Sequence, residues 1–222
     1  MSNSHRPFAS DAELSRRDFF ARGAAFGLAA AVSGPQLARL LRWERLAAAD
    51  AFVLPADATI AANDLTLGNA AISARWTVSE GRLRAVRVDD RAGGATLPLS
   101  PGVFALTMAD GSVRAADSLR VVGAPKIETV HGDPGASRLA ERLGGRQVTV
   151  VMRDDSGHLE ATWRAVLRDG SRYVRQEVTL RAVGAEVPVR EIALVDLHMA
   201  GATVTGTVKG SPVVSGNWYC GF

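Results

Sequence analysis

A single cysteine, Cys220, stands in a chain of 222 residues, which excludes an intramolecular disulfide and any cysteine-built metal cluster. Lysine is almost as scarce, since only Lys126 and Lys209 occur among 26 Lys and Arg. The 23 acidic residues bring the net charge to +3, and much of that excess lies before Asp50. The pI of about 9.6 therefore does not mark a nucleic-acid-binding surface. With Ala, Val and Gly abundant, the preference for Arg over Lys fits a GC-rich genome better than an arginine-dependent function. No run is apolar enough to be a stable membrane span, which needs roughly 20 residues. There is no Gly-x-Ser-x-Gly, and the glycine pairs Gly93-Gly94 and Gly144-Gly145 lack the strand-then-helix context of a phosphate loop.

A hydrophobic fraction of 47% and a charged fraction of 22% are those of a globular protein. The length suits one domain with a leader, or two small domains. We read residues 1–49 as leader and linker and residues 50–222 as the domain.

Ser15-Arg16-Arg17-Asp18-Phe19-Phe20 resembles the twin-arginine export motif, with Arg16 and Arg17 as the pair and Phe19 and Phe20 behind it. A mildly apolar run, Ala21 to Val32, follows. The resemblance implies recognition by the twin-arginine (Tat) translocase and release to the periplasm or outside the cell. Arg39, Arg42, Glu44 and Arg45 follow the apolar run, so cleavage falls either soon after Gly34 or, the preferred reading, at the small residues Ala47-Ala48-Ala49. Proteins taking that route fold before export, in keeping with the lone cysteine.

From Asp50 the chain becomes short alternating segments punctuated by Gly, Asp, Asn and Pro, the pattern of an all-β protein. Leu159 to Leu197 predicts three consecutive antiparallel strands. Leu159, Ala161, Trp163, Ala165 and Leu167 share one face of the first, with Val166 out of phase. Arg168-Asp169-Gly170-Ser171 turns the chain into Tyr173 to Ala182, where Val174, Val178 and Leu180 share a face, and Val183 to Glu186 turns it again. Upstream, Ala71 to Ser79 and Arg82 to Asp89 form a hairpin about Glu80-Gly81, although Leu83, Ala85, Val86 and Val88 alternate imperfectly. Gly93 to Pro101 reads as loop, Val103 to Met108 and Ser112 to Val122 as strands, and Ala124 to Gly135 as an edge strand and loop. Ser137 to Leu143 is a short turn of helix, and Gln147 to Arg153 is a strand ending at the turn Asp154 to Gly157. Thr203 to Lys209 and Pro212 to Phe222 are β-rich. The aromatic, apolar ending leaves two readings open: a last strand buried to its final residue, or the front part of a longer protein.

Candidate chemistry is sparse. Of His5, His131, His158 and His198, only His198 has a suggestive neighbour, Asp196, two positions away on the same strand face. A third ligand is missing, so no metal site or cofactor is expected, and no catalytic residue is assigned. Asp89-Asp90 and Asp154-Asp155 read as turns rather than paired catalytic carboxylates. Trp76 and Trp163 are in phase with apolar faces and belong to the core. Trp218 and Tyr219 occupy adjacent strand positions, so one of them leaves the core. Beside Asn217 such a ring can stack on a sugar while the amide fixes its orientation, which makes Asn217, Trp218 and Tyr219 the candidate carbohydrate contacts. An interface with a following domain is the competing explanation.

The run from Thr162 to Leu197 resembles the large antiparallel β-sandwich, similar to galactose mutarotase, that precedes the catalytic barrel of alpha-galactosidase-like glycoside hydrolases. Asp169, Gly170, Tyr173, Arg175 and Pro188 occupy the recurrent turn, strand and strand-opening places, and Gly206 to Phe222 resembles the end of such a sandwich. The resemblance implies an all-β supersandwich and an exported, non-catalytic, carbohydrate-associated module, with a carbohydrate or a catalytic barrel as partner. The family's catalytic aspartates lie on the barrel, a unit of about 250 residues, so none is carried over. Two other readings remain: a stand-alone envelope binding or scaffolding protein whose last strand pairs with a partner, and an aldose epimerase drawing on His131, His158, His198 and scattered carboxylates.

Overall fold

The computed structural model describes residues 54–197, 199–208 and 211–221. The export motif at Arg16, Arg17, Phe19 and Phe20 lies outside the described residues, as do His5, His198 and Phe222. Every sheet is antiparallel, and among the described residues no helix is long and apolar enough to cross a membrane.

The first sheet takes five strands in chain order: β1 (Asp57–Ala61), β2 (Asp64–Gly68), β3 (Ile72–Ser79), β4 (Arg82–Asp90) and β5 (Ala95–Pro98). The β3–β4 hairpin closes on Glu80 and Gly81, with φ of 54° and 71°. Positive φ at both turn positions gives the backbone twist that matches the flanking strands. Arg75 faces Arg87 while Trp76 faces Ala85, so Val86 is bulged out of the pairing. That extra residue is why the alternation along β4 looks imperfect in the sequence. One expectation is corrected at the far edge of this sheet. The Gly93–Pro101 loop contains β5, and its Pro98 is tolerated because β5 is an edge strand. Asp57–Ala61, which shows little burial periodicity because it is an exposed edge, is a strand as well.

Next come β6 (Ala105–Met108), β7 (Val113–Ala115), a single 3-10 turn at Ala116–Ser118, and β8 (Arg120–Val121). Ser112 to Val122 is therefore not one strand. Ala116 and Leu119 are both buried, and two inward residues three apart require a 3-10 turn, not the period of two.

The second large sheet holds β9 (Lys126–Val130), β10 (Gly145–Arg153), β11 (Leu159–Arg168) and β12 (Arg175–Ala182), with β8 and β9 sharing one edge of β10. The expected short turn of helix is present as a 3-10 turn at Leu139–Arg142. Along β11 the residues expected to face inward are all buried, and Val166 joins them at 7% exposure. Gly145 must be glycine, since a Cβ there would lie 2.2 Å from the Leu167 carbonyl oxygen of the neighbouring strand. The third strand of the predicted meander exists as β13 (Val189–Ala193), but it does not pair with β12. Pro188 gives up its carbonyl to the Ala109 amide instead, and β13 joins β6 to complete a three-stranded sheet with β7. β12 stays an edge, blunted by Arg175, Glu177 and Arg181. The final sheet is small: β14 (Thr203–Val204), β15 (Val213–Ser215) and β16 (Trp218–Cys220).

One apolar core draws side chains from the first sheet, from β6 and from the second large sheet. Its centre is Trp163, which lies between Val150 on β10 and Val178 on β12 in a single cross-strand row. The Trp76 ring from β3 meets it edge to face, with centroids 5.0 Å apart and planes at 70°. Such a pair adds about 0.5–1.5 kcal/mol beyond the area it buries. Among the described residues the Trp163 indole N–H finds no hydrogen-bond acceptor, a cost carried for filling the centre.

Candidate functional site

A cleft of about 530 Å³ opens where β3, β4 and β5 meet the start of β12, the segment at Leu194 to Leu197, and β16. Its depth and its rim are chemically different. The buried lining consists of Ala71, Ile72, Ala74, Trp76 and Val103. At the rim Arg172, Tyr173, Asp196, Asn217 and Tyr219 are exposed, with Asp90 half-buried beside them. Both belong to the same hollow, and 530 Å³ is within the usual range for small-molecule sites.

The walls are fixed by a few buried polar contacts. Asn69, only 4% exposed, accepts hydrogen bonds from the amides of Ala71 (2.9 Å) and Ile72 (3.0 Å) and donates to the Ser171 carbonyl at 2.7 Å. It thereby ties the β2–β3 turn to the loop that carries Arg172 and Tyr173. The Arg91 guanidinium donates to the Asn69 carbonyl at 2.9 Å. Gln176 uses both amide hydrogens, donating at 2.6 Å to the carbonyls of Val103 and Leu194, and so sews β12 to both neighbouring segments. Asp90 accepts from the Gly93 amide at 2.8 Å. A Cβ at Gly93 would come within 3.0 Å of the Asn217 Nδ2 and closer still to the Asp90 carboxylate. The absence of a side chain at Gly93 thus lets the β15–β16 turn approach the end of β4.

The three candidate carbohydrate contacts converge on this cleft. Asn217, Trp218 and Tyr219 all line it. Trp218 is half-buried while Tyr219 is 68% exposed, as opposite strand faces require, and the Tyr219 ring lies against the Gly221 backbone. Asp196 is also at the rim, whereas its expected partner His198 is outside the described residues. Neither remaining described histidine lines the cleft. The His158 Nδ1 lies 3.0 Å from the Val183 carbonyl, to which it can only donate, and the His131 carbonyl accepts from Arg168. Among the described residues, no three His, Cys, Asp or Glu side chains gather into a metal-binding group.

Asp89 and Asp90 are the last two residues of β4 rather than a turn, and they point apart. Asp89 is held below the ordinary carboxyl range by the Thr96 hydroxyl and then by Arg87. Asp90 borders the cleft. Asp154 and Asp155 do sit in the β10–β11 turn as expected. Burial alone would raise the Asp154 carboxyl, but the Ser156 hydroxyl, the Leu159 amide and Arg114 together bring it below its usual value. Burial also pushes the Cys220 thiol up, and this half-buried side chain lines the cleft as well.

Reading the sequence for sites missed Asp90, Arg172, Gln176 and Asn69. The Gly68-Asn69 pair carries only a turn signal, and its partner Ser171 is far along the chain. A second hollow of about 200 Å³ lies on the other face of β12 and shares Tyr173 with the cleft. Its charges are largely committed to one another, with Arg175 3.5 Å from Glu141 and 3.2 Å from Glu177.

Compared with protein-family models, with curated proteins and with solved structures, the chain finds no match.

Proposed function

We propose that this chain is an exported, non-catalytic, carbohydrate-associated β-sandwich, a module of the kind that accompanies the catalytic barrel of a glycoside hydrolase. The observation that carries the reading is the convergence of Asn217, Trp218 and Tyr219 with Asp90, Arg172 and Asp196 around one cleft. Aromatic faces receive the C–H face of a sugar ring, while carboxylate, amide and guanidinium groups bond its hydroxyls. Two five-stranded antiparallel sheets contributing to one core support the sandwich. The Arg16-Arg17 motif supports export to the periplasm or beyond.

A glycan array probed with the full chain tests this, with Tyr219→Ala and Asn217→Ala alongside and circular dichroism as the folding control. Binding to a defined set of glycans, weakened at least tenfold in both variants, is expected. A folded protein that binds no glycan would contradict the carbohydrate reading and leave a structural module whose last strands meet a protein partner.

A further inference from the structure

We infer that the cleft takes an amphipathic glycoside, with the sugar held at the rim and an apolar aglycone or acyl chain buried in the floor; this rests on the carbohydrate reading above. The two halves of the cleft differ too much for a ligand of one polarity. Ile72, Ala74, Trp76 and Val103 line the floor and are each less than 9% exposed. Gln176, a half-buried amide of the lining, has both of its hydrogens committed to the carbonyls of Val103 and Leu194, which leaves its Oε1 to accept but no N–H to donate. A bare sugar seated at that depth would strand most of its hydroxyls in an apolar environment, where an unpaired polar group is costly.

The rim has the opposite character. Arg172, Asp196 and Asn217 are exposed, and Asp90 is within reach of the same opening. A purely apolar ligand would leave these groups with water alone. A sugar spanning them would use donors and acceptors of both signs, which suits hydroxyls better than it suits a carboxylate or an amine. The cleft holds about 530 Å³, more than one hexose fills. The apolar remainder is what an attached alkyl or aryl group would occupy.

Calorimetric titration of the full chain with methyl, butyl, hexyl and octyl β-D-glucosides, and with the matching galactosides, tests the inference below their micelle thresholds. A sugar-free octyl oligoethylene glycol ether is the control. In at least one series each methylene that enters the floor is expected to tighten Kd about fourfold until the floor is full. The ether is expected to bind at least tenfold more weakly than the octyl glycoside. Binding with a Kd independent of chain length would overturn the inference while leaving sugar binding at the rim intact. An ether that binds as tightly as the glycosides would overturn the carbohydrate reading instead. No binding by a folded sample to any of these probes would overturn both.

Discussion

Glu80 holds φ at 54° and Ala62 at 52°, a region that costs an L-residue about 1 kcal/mol relative to glycine. Both occupy hairpin turns whose geometry is imposed by the strands on either side. Replacing Ala62 with Gly, or Glu80 with Asn to give an Asn-Gly turn, is expected to stabilise the protein by about 0.5–1 kcal/mol, raising Tm by a few degrees. An unchanged or lower Tm would show that these side chains contribute more than their backbone strain costs. Cys220 offers a second residue-scale test. Because burial raises its pKa, the thiol is protonated at neutral pH, and it is the thiolate that reacts. Modification by a thiol reagent is therefore expected to be slower at pH 7 than for a free cysteine and to accelerate as the pH rises past the ordinary thiol range. A ligand in the cleft should slow it further, and rapid modification at pH 7 would contradict the burial.

At the scale of elements, the β3–β4 hairpin and the β10–β11 pair were legible because each is local, with the turn residues written between two strands. Even the irregularity in β4 was visible as broken alternation, although only the register identified Val86 as the bulged residue. The partner of β13 was not legible. Its pairing with β6 joins residues far apart in the chain, Val189 to Met108 and Ala193 to Ala105, and Pro188 marks where a strand begins without saying which edge it joins. The site divides in the same way. Asn217, Trp218 and Tyr219 stood out as an aromatic cluster, whereas Arg172 and Asp90 acquire meaning only when Asn69 and Gly93 bring distant loops together. Asn69 is consequently a positioning residue. Asn69→Ala leaves the Ser171 carbonyl and the amides of Ala71 and Ile72 without their partner, and about 1–3 kcal/mol of stability is expected to go with it. Glycan affinity should fall as well, since the loop bearing Arg172 and Tyr173 loses its tether. Affinity that survives intact in Asn69→Ala would detach that loop from the site.

Across the whole molecule, ionised carboxylates tie strands and turns together. Arg114 and Asp154 join β7 to the β10–β11 turn, and Glu160 receives Arg153 and Arg181 from the strands on both sides. Glu160 is held low chiefly by Arg153 and then Arg181, and Glu128 by Thr149 and then Gln147. A depressed folded-state pKa stabilises fully above the unfolded value and loses that contribution as pH falls through the folded one. Stability is accordingly expected to be level near neutrality and to decline below about pH 4, as read by urea midpoints across pH. A midpoint that rises on acidification would contradict these assignments.

The claim that the cleft beside β16 binds carbohydrate is tested most directly by amide chemical-shift mapping of the full chain with the strongest binder from the glycan array. Shifts concentrated at Asp90, Arg172, Tyr173, Asn217 and Tyr219 are predicted. Shifts confined to the opposite face of β12, around Glu141 and Arg175, or absent at saturating ligand, would contradict it.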